Sequence, residues 1–156
     1  EDKEDGFAGF VRMMLENDLM DNIHFPKIYK AQRMTDNTGT HRNNYTIEKL
    51  EPISGLSREE FAALEDRHMN PGYDEDFSLP ERIYDACRSA RAREMYIKMD
   101  SLKEACEILD ELDDVSDFRL DINKGNLMVR RTPHGLQLVI SDPFGMIKSQ
   151  WMHKYQ

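Results

Sequence analysis

Three oxygen-bearing side chains toward the end of this chain have the types and spacing of a reactive set. In Asp121-Ile122-Asn123-Lys124-Gly125-Asn126 an aspartate stands five positions before an asparagine. The apolar run Leu138-Val139-Ile140-Ser141 then closes on a second aspartate, Asp142, followed by Pro143-Phe144. Moving a phosphoryl group onto a hydroxyl requires such groups: one carboxylate facing the acceptor, and an amide oxygen with another carboxylate holding magnesium. Asp121 is the candidate base that accepts or orients the hydroxyl proton. Gly125 permits a tight turn before Asn126, whose side-chain oxygen is a hard ligand suited to magnesium. Asp142 would leave a rigid strand and supply the second metal oxygen. The bland account makes Asp121 and Asn126 turn residues and Asp142 a strand-end cap. The apolar frame around the spacing favours the chemical account.

These residues need elements to position them. Phe7, Phe10, Val11, Met14 and Leu15 recur at helical spacing, which predicts an amphipathic helix over about residues 5–17. Strands are predicted over 25–33 and 45–50, joined by turn chemistry at 35–40 into an antiparallel hairpin, with 51–55 as a linker. Three capping-box patterns then announce helices: Ser57 with Glu60, Ser78 with Glu81, and Ser101 with Glu104. A second hairpin is predicted from 127–131 and 136–140, turning at Thr132-Pro133-His134-Gly135. The order gives an α+β fold in which a small sheet joins a mainly helical body.

Bulk properties narrow the function. At 156 residues the chain is one domain, or one large lobe of a bigger one. A net charge of -9 repels phosphate backbones and anionic lipid, which argues against nucleic acid or membrane as partner. Arg88, Arg91 and Arg93 form the best basic cluster, and their expected role is the solvated side of a helix. Cys87 and Cys106 fall on apolar helical stripes, as free thiols in a reducing cytoplasm would. The five histidines show no metal-ligand spacing. The aromatic, basic tail Ser149–Tyr155 is expected to dock on the body.

The two reactive loops resemble the catalytic and metal-binding loops of the protein-kinase-like fold. In wording they are most similar to the early serine/threonine protein kinases of T-seven-like bacteriophages. Asp5-Gly6-Phe7-Ala8-Gly9-Phe10 resembles the start of that family's first conserved helix, and His24–Tyr29 the strand after it. Tyr45–Pro52 is similar to the strand and hinge behind the adenine pocket. The resemblance implies residues 1–52 as a partial N-lobe and 53–156 as a helical C-lobe. It further implies Asp121 as catalytic base, Asn126 and Asp142 as Mg2+ ligands, and backbone near Glu48 and Leu50 as adenine contacts. ATP and host proteins in the bacterial cytoplasm would be the substrates.

The chain also departs from the family pattern. Arg119-Leu120 replaces the usual His-Arg, and Asn123 stands where kinases carry lysine or histidine. Lys124 is the adjacent candidate for the missing positive charge at the catalytic loop. Asp142-Pro143-Phe144 replaces Asp-Phe-Gly. No G-x-G-x-x-G occurs, and Lys3 is a poor match to the phosphate-binding strand lysine, so either both elements lie upstream of Glu1, the favoured expectation, or the nucleotide clamp has been lost. A kinase-fold protein that acts by binding, and a small-molecule phosphotransferase, are the competing functions.

Overall fold

The computed structural model describes residues 6–19, 21–72 and 77–148, so Lys3 and the 149–155 tail lie outside the described residues. Among the described residues, five α-helices and three small antiparallel sheets make the α+β fold. Helix α1 (Gly6–Glu16) is followed by the hairpin β1 (Ile28–Thr35) and β2 (His41–Ile47). The hairpin thus turns at the expected place, but β2 begins and ends earlier than the predicted 45–50. Asp36 explains the early start: its carboxylate accepts the N–H groups of Thr38 (2.8 Å) and Thr40 (2.9 Å), so pairing resumes at His41. Beyond Ile28 every residue of β1 is exposed, and the ribbon meets α1 edge-on through Tyr45 and Phe7.

Glu51 and Pro52, read from sequence as linker, form the short strand β3 (Glu51–Pro52). It pairs with β5 (Leu127–Thr132), which in turn pairs with β6 (Gly135–Ile140). The predicted second hairpin is therefore present, with one additional strand on its edge.

Helix α2 (Arg58–His68) and helix α3 (Leu79–Arg88) start at complete capping boxes on Ser57 and Ser78. The third predicted box does not form. Helix α5 (Asp100–Val115) begins at Asp100 with Met99 as an uncapped N-cap, because the Ser101 hydroxyl is engaged by His24 Nε2 at 2.8 Å. A tertiary partner takes the cap's side chain. A further helix lies between the second and third announced ones: at Ser89 the backbone turns extended, and the Ser89 side chain caps helix α4 (Ala90–Tyr96). Without glutamate three positions later, that start carried no box pattern.

The expectation for Arg93 is corrected as well. It is buried rather than solvated, because its Nε donates to the Ala86 carbonyl (3.0 Å) and its guanidinium reaches Asp110 (3.1 Å). Arg88 and Arg91 are exposed. Cys87 and Cys106 are buried on their helices, as their stripes imply.

One apolar cluster joins the front and back of the chain. Phe10 packs on Phe25 (5.4 Å between ring centroids) and on Phe144 (6.0 Å). Strand β4 (Phe118–Leu120) pairs with β7 (Phe144–Ile147), a contact the sequence did not announce. Helix α1 lies directly on this pair, and its glycines make that approach possible. A Cβ on Gly6 would stand 2.0 Å from the Phe144 carbonyl oxygen, and one on Gly9 would stand 2.4 Å from the Phe118 ring. Among the described residues no helix is long and apolar enough to cross a membrane.

Candidate functional site

Strand alternation aims Asp121. Phe118, Leu120 and Ile122 are buried, so the intervening positions point the other way and Asp121 emerges exposed. Its backbone N–H donates to the Pro143 carbonyl at 2.6 Å, which ties the first reactive loop to the second. The Asp121 carboxylate rests against the backbone of Gly145, where an added Cβ would come within 3.1 Å of Oδ2. The loop is thus held on two sides by the segment that carries Asp142.

Asn126 closes the turn. Its side-chain NH2 donates to the Asp121 carbonyl (2.8 Å), and its backbone N–H to the Asn123 carbonyl (3.0 Å). Because the amide nitrogen faces inward to Asp121, the Asn126 side-chain oxygen is the group left to face elsewhere. The Asn126 carbonyl accepts from both the Ser141 N–H (2.9 Å) and the Ser141 hydroxyl (3.1 Å). Residues 121, 126 and 141–143 are therefore one hydrogen-bonded knot, and the three predicted residues lie on it or at its border.

Asp142 follows Leu138, Val139 and Ile140, which are fully buried in β6, and precedes the buried Phe144. Its Oδ1 is withdrawn from solvent. Hard oxygen donors of this kind, a half-buried carboxylate and the amide oxygen of Asn126 on the adjoining loop, are of the type magnesium prefers. Among the described residues no group of three or more His, Cys, Asp or Glu side chains is placed to hold a metal ion. The candidate pair, one amide and one carboxylate, is a smaller set, and a magnesium ion held there would need phosphate oxygens and water at its remaining positions.

Asn123 and Lys124 are exposed at the loop's outer side. Asn123 stabilises the turn by accepting the Gly125 N–H (2.8 Å), and its amide lies 3.5 Å from Asp121 Oδ1. One residue beyond Asp121, a cavity of about 1110 Å³ opens between Ile122, Asn123 and Lys124 on one side and the starts of α2 and α3 on the other.

Glu48 and Leu50 lie outside that cavity. The Glu48 side chain has a structural task the sequence did not reveal: both its oxygens accept from Arg130, at 2.6 and 2.5 Å. Arg130 also donates to the carbonyls of Ile23 and Phe25 and to the Gln137 amide oxygen, so its whole guanidinium is used. Hydrogen bonding to Arg130 holds the Glu48 carboxyl below the usual carboxylate range. This buckle fixes the segment leaving β2 to the sheet that carries the reactive loops.

Behind the site, two buried histidines cover the outer edge of β6. Leu138 donates its N–H to His68 Nε2 (3.1 Å), and its carbonyl accepts from His24 Nδ1 (2.8 Å). The Ile140 N–H donates to the His24 carbonyl at 2.7 Å. His68 Nδ1 in turn donates to the Leu64 carbonyl (2.8 Å). Both rings are therefore neutral Nδ1–H tautomers. Desolvation by burial lowers both pKa values, that of His68 to about 4. These histidines hold the strand that delivers Asp142.

Compared with protein-family models, with curated proteins and with solved structures, the chain gives no match.

Proposed function

We propose that the chain performs magnesium-dependent phosphoryl transfer from ATP to hydroxyl groups of proteins, in the manner of the phage serine/threonine kinases its loops resemble. The observation that carries the proposal is the knot joining Asp121, Asn126 and the 141–143 segment. An aspartate and an asparagine five residues apart could be ordinary turn residues. Such residues have no need to be fastened, by the 2.6 Å bond from Asp121 to Pro143 and the bonds from Ser141 to Asn126, to a second loop bearing another carboxylate.

In this reading Asp121, exposed and braced against Gly145, orients the acceptor hydroxyl and takes its proton as the oxygen attacks. Asn126 and Asp142 would hold Mg2+, which supplies neutralisation of the phosphate charge. Lys124, exposed beside the loop, adds positive charge near the transferred group. Asn123 keeps the turn closed. Backbone near Glu48 and Leu50 would meet the adenine, with the Arg130 buckle holding that segment in register. Host proteins of a bacterial cytoplasm are the acceptors that the family resemblance supplies.

Incubation of the full-length protein with labelled ATP, magnesium and bacterial lysate tests this, beside an Asp121→Asn variant. Label entering proteins with the unaltered chain and absent with the variant supports transfer. Equal label with both proteins would refute the assigned base.

A kinase-fold protein that acts by binding is the second reading. Absence of label together with stable capture of one bacterial protein would support this reading instead.

A further inference from the structure

The cavity next to the catalytic loop is large, and the proposed transfer step does not use it. We infer that it is a specificity pocket that takes a bulky apolar side chain of the acceptor segment, close in sequence to the hydroxyl presented to Asp121. This inference rests on the phosphotransfer reading and adds the class of acceptor.

Position comes first. Ile122, Asn123 and Lys124 form one wall, and the Asn123 amide that lines it lies 3.5 Å from Asp121 Oδ1, so the cavity opens beside that carboxylate without including it. Size comes second. At about 1110 Å³ the space exceeds the roughly 300–1000 Å³ of typical small-molecule sites, which fits a stretch of chain with a large side chain.

Chemistry then selects the occupant. Leu56, Phe61, Phe77 and Ile122 line the cavity, with Phe61 and Leu56 half-buried and Phe77 43% exposed. Large apolar groups left partly open gain by burial against another apolar group, about 25 cal/mol per Å². The charges around them cancel, since Arg58, Arg82 and Lys124 stand against Glu65, Asp66 and Glu81. Two of those carboxylates are already committed: Glu65 binds Arg82 at 2.5 Å, and Glu81 completes the Ser78 capping box. An amino-sugar or polyamine acceptor needs several free carboxylates converging on its cations, and Asp66 alone does not supply them. A strongly anionic segment has no net positive field to answer it.

The test uses fluorescein-labelled peptides with one serine and otherwise alanine and glycine, carrying Phe, Leu, Lys or Glu at each flanking position in turn. Binding to the full-length protein is read by anisotropy without nucleotide, and transfer is read separately with labelled ATP and magnesium. A preference of at least tenfold for Phe or Leu at one fixed offset is expected. It should fall to the level of the alanine peptide in Ser54→Trp, which plugs the exposed rim, and weaken in Phe61→Ala, whose thermal midpoint is measured alongside.

Selective binding without transfer would support the pocket while overturning the catalytic reading. Transfer with equal use of all flanking residues would overturn the pocket while leaving the catalytic reading in place. Phosphorylation of free sugars or amines, blocked by Ser54→Trp, would also overturn it by showing a small-molecule acceptor in the cavity.

Discussion

At the scale of single residues, the proposed reading makes Asp121 the base and its neighbours the supports. Replacing Asp121 by asparagine keeps size and loop geometry but removes the base, so the transfer rate is expected to fall by about 10²–10⁴-fold with nearly unchanged stability. Initial-rate kinetics with a thermal melt on the same sample read both quantities. Gly145→Ala offers a subtler trial. The new methyl would meet Asp121 Oδ2 at about 3.1 Å and push the carboxylate by a few tenths of an ångström. A loss of roughly tenfold in turnover is expected, since small misplacements of reacting groups are costly. An unchanged rate would show that Asp121 needs no such brace.

The turn that carries Asp121 and Asn126 was readable from sequence because its signals are local. Aspartate, glycine and asparagine at a short fixed spacing announce a turn that carries oxygen ligands. Their attachment to the second loop was not readable, since the bonds run through backbone groups of Pro143 and Asn126, which have no residue-type signature. Arg93 was misread for a related reason. Its burial depends on the break at Ser89, which rotates the following helix so that the side chain lies against Ala86 and Asp110.

At the scale of elements, two supports of the site make opposite use of ordinary rules. Glycine to alanine normally favours a helix by about 1 kcal/mol. In α1 the reverse is expected, because the new methyl at Gly6 would overlap the Phe144 carbonyl and that at Gly9 the Phe118 ring. Gly6→Ala should destabilise the fold by about 1–3 kcal/mol, as overpacking does, and urea titration would measure it. The sequence placed both glycines in the helix correctly. It could not show what they touch, since β4 and β7 are short strands with an irregular register that leave little periodic signal.

The histidine pair on β6 sets the response to acid. Burial lowers the pKa of both His24 and His68, so the unfolded chain binds more protons than the folded one below about pH 6.5. Stability is therefore full above that pH and is lost as pH falls toward 4, where His68 itself titrates. Protonation of His68 Nε2 would also set a donor against the Leu138 N–H it now accepts. The expected loss by pH 4 from His68 is on the order of 3 kcal/mol. Chemical denaturation between pH 7 and 4.5 should show it, with a flatter profile in His68→Gln. The sequence displayed these histidines only as scattered residues. Their partner strand lies 114 residues from His24 and 70 from His68. The same distance effect undid the Ser101 capping box, where His24 claims the hydroxyl across 77 residues.

At the scale of the whole molecule, the first third of the chain is joined to the reactive loops by α1 on β4 and β7, and by Arg130 on Glu48. The second joint is mostly buried, with the two side chains 13% and 11% exposed. Removing one partner of such a pair leaves a buried charge, so Arg130→Met should cost about 3–5 kcal/mol, and Arg130→Met with Glu48→Gln less than the sum of the single changes. A double-mutant cycle by urea denaturation checks this. Additive effects would mean that the buckle does not hold the two parts together. The α+β class and the second hairpin followed from periodicity and turn chemistry, and two of three expected capping boxes formed. The buckle did not follow, because charged residues 82 positions apart give no sequence sign that they will meet.

The central claim is that Asp121, Asn126 and Asp142 gather around a nucleotide's terminal phosphate. Paramagnetic broadening by Mn2+ with ATP, followed by NMR on the full-length protein, tests it most directly. Resonances of Gly125, Asn126, Ser141 and Asp142 should broaden first and recover in Asn126→Ala and Asp142→Asn. Broadening confined to the acidic surface of α5, or unaltered by those substitutions, would contradict the account.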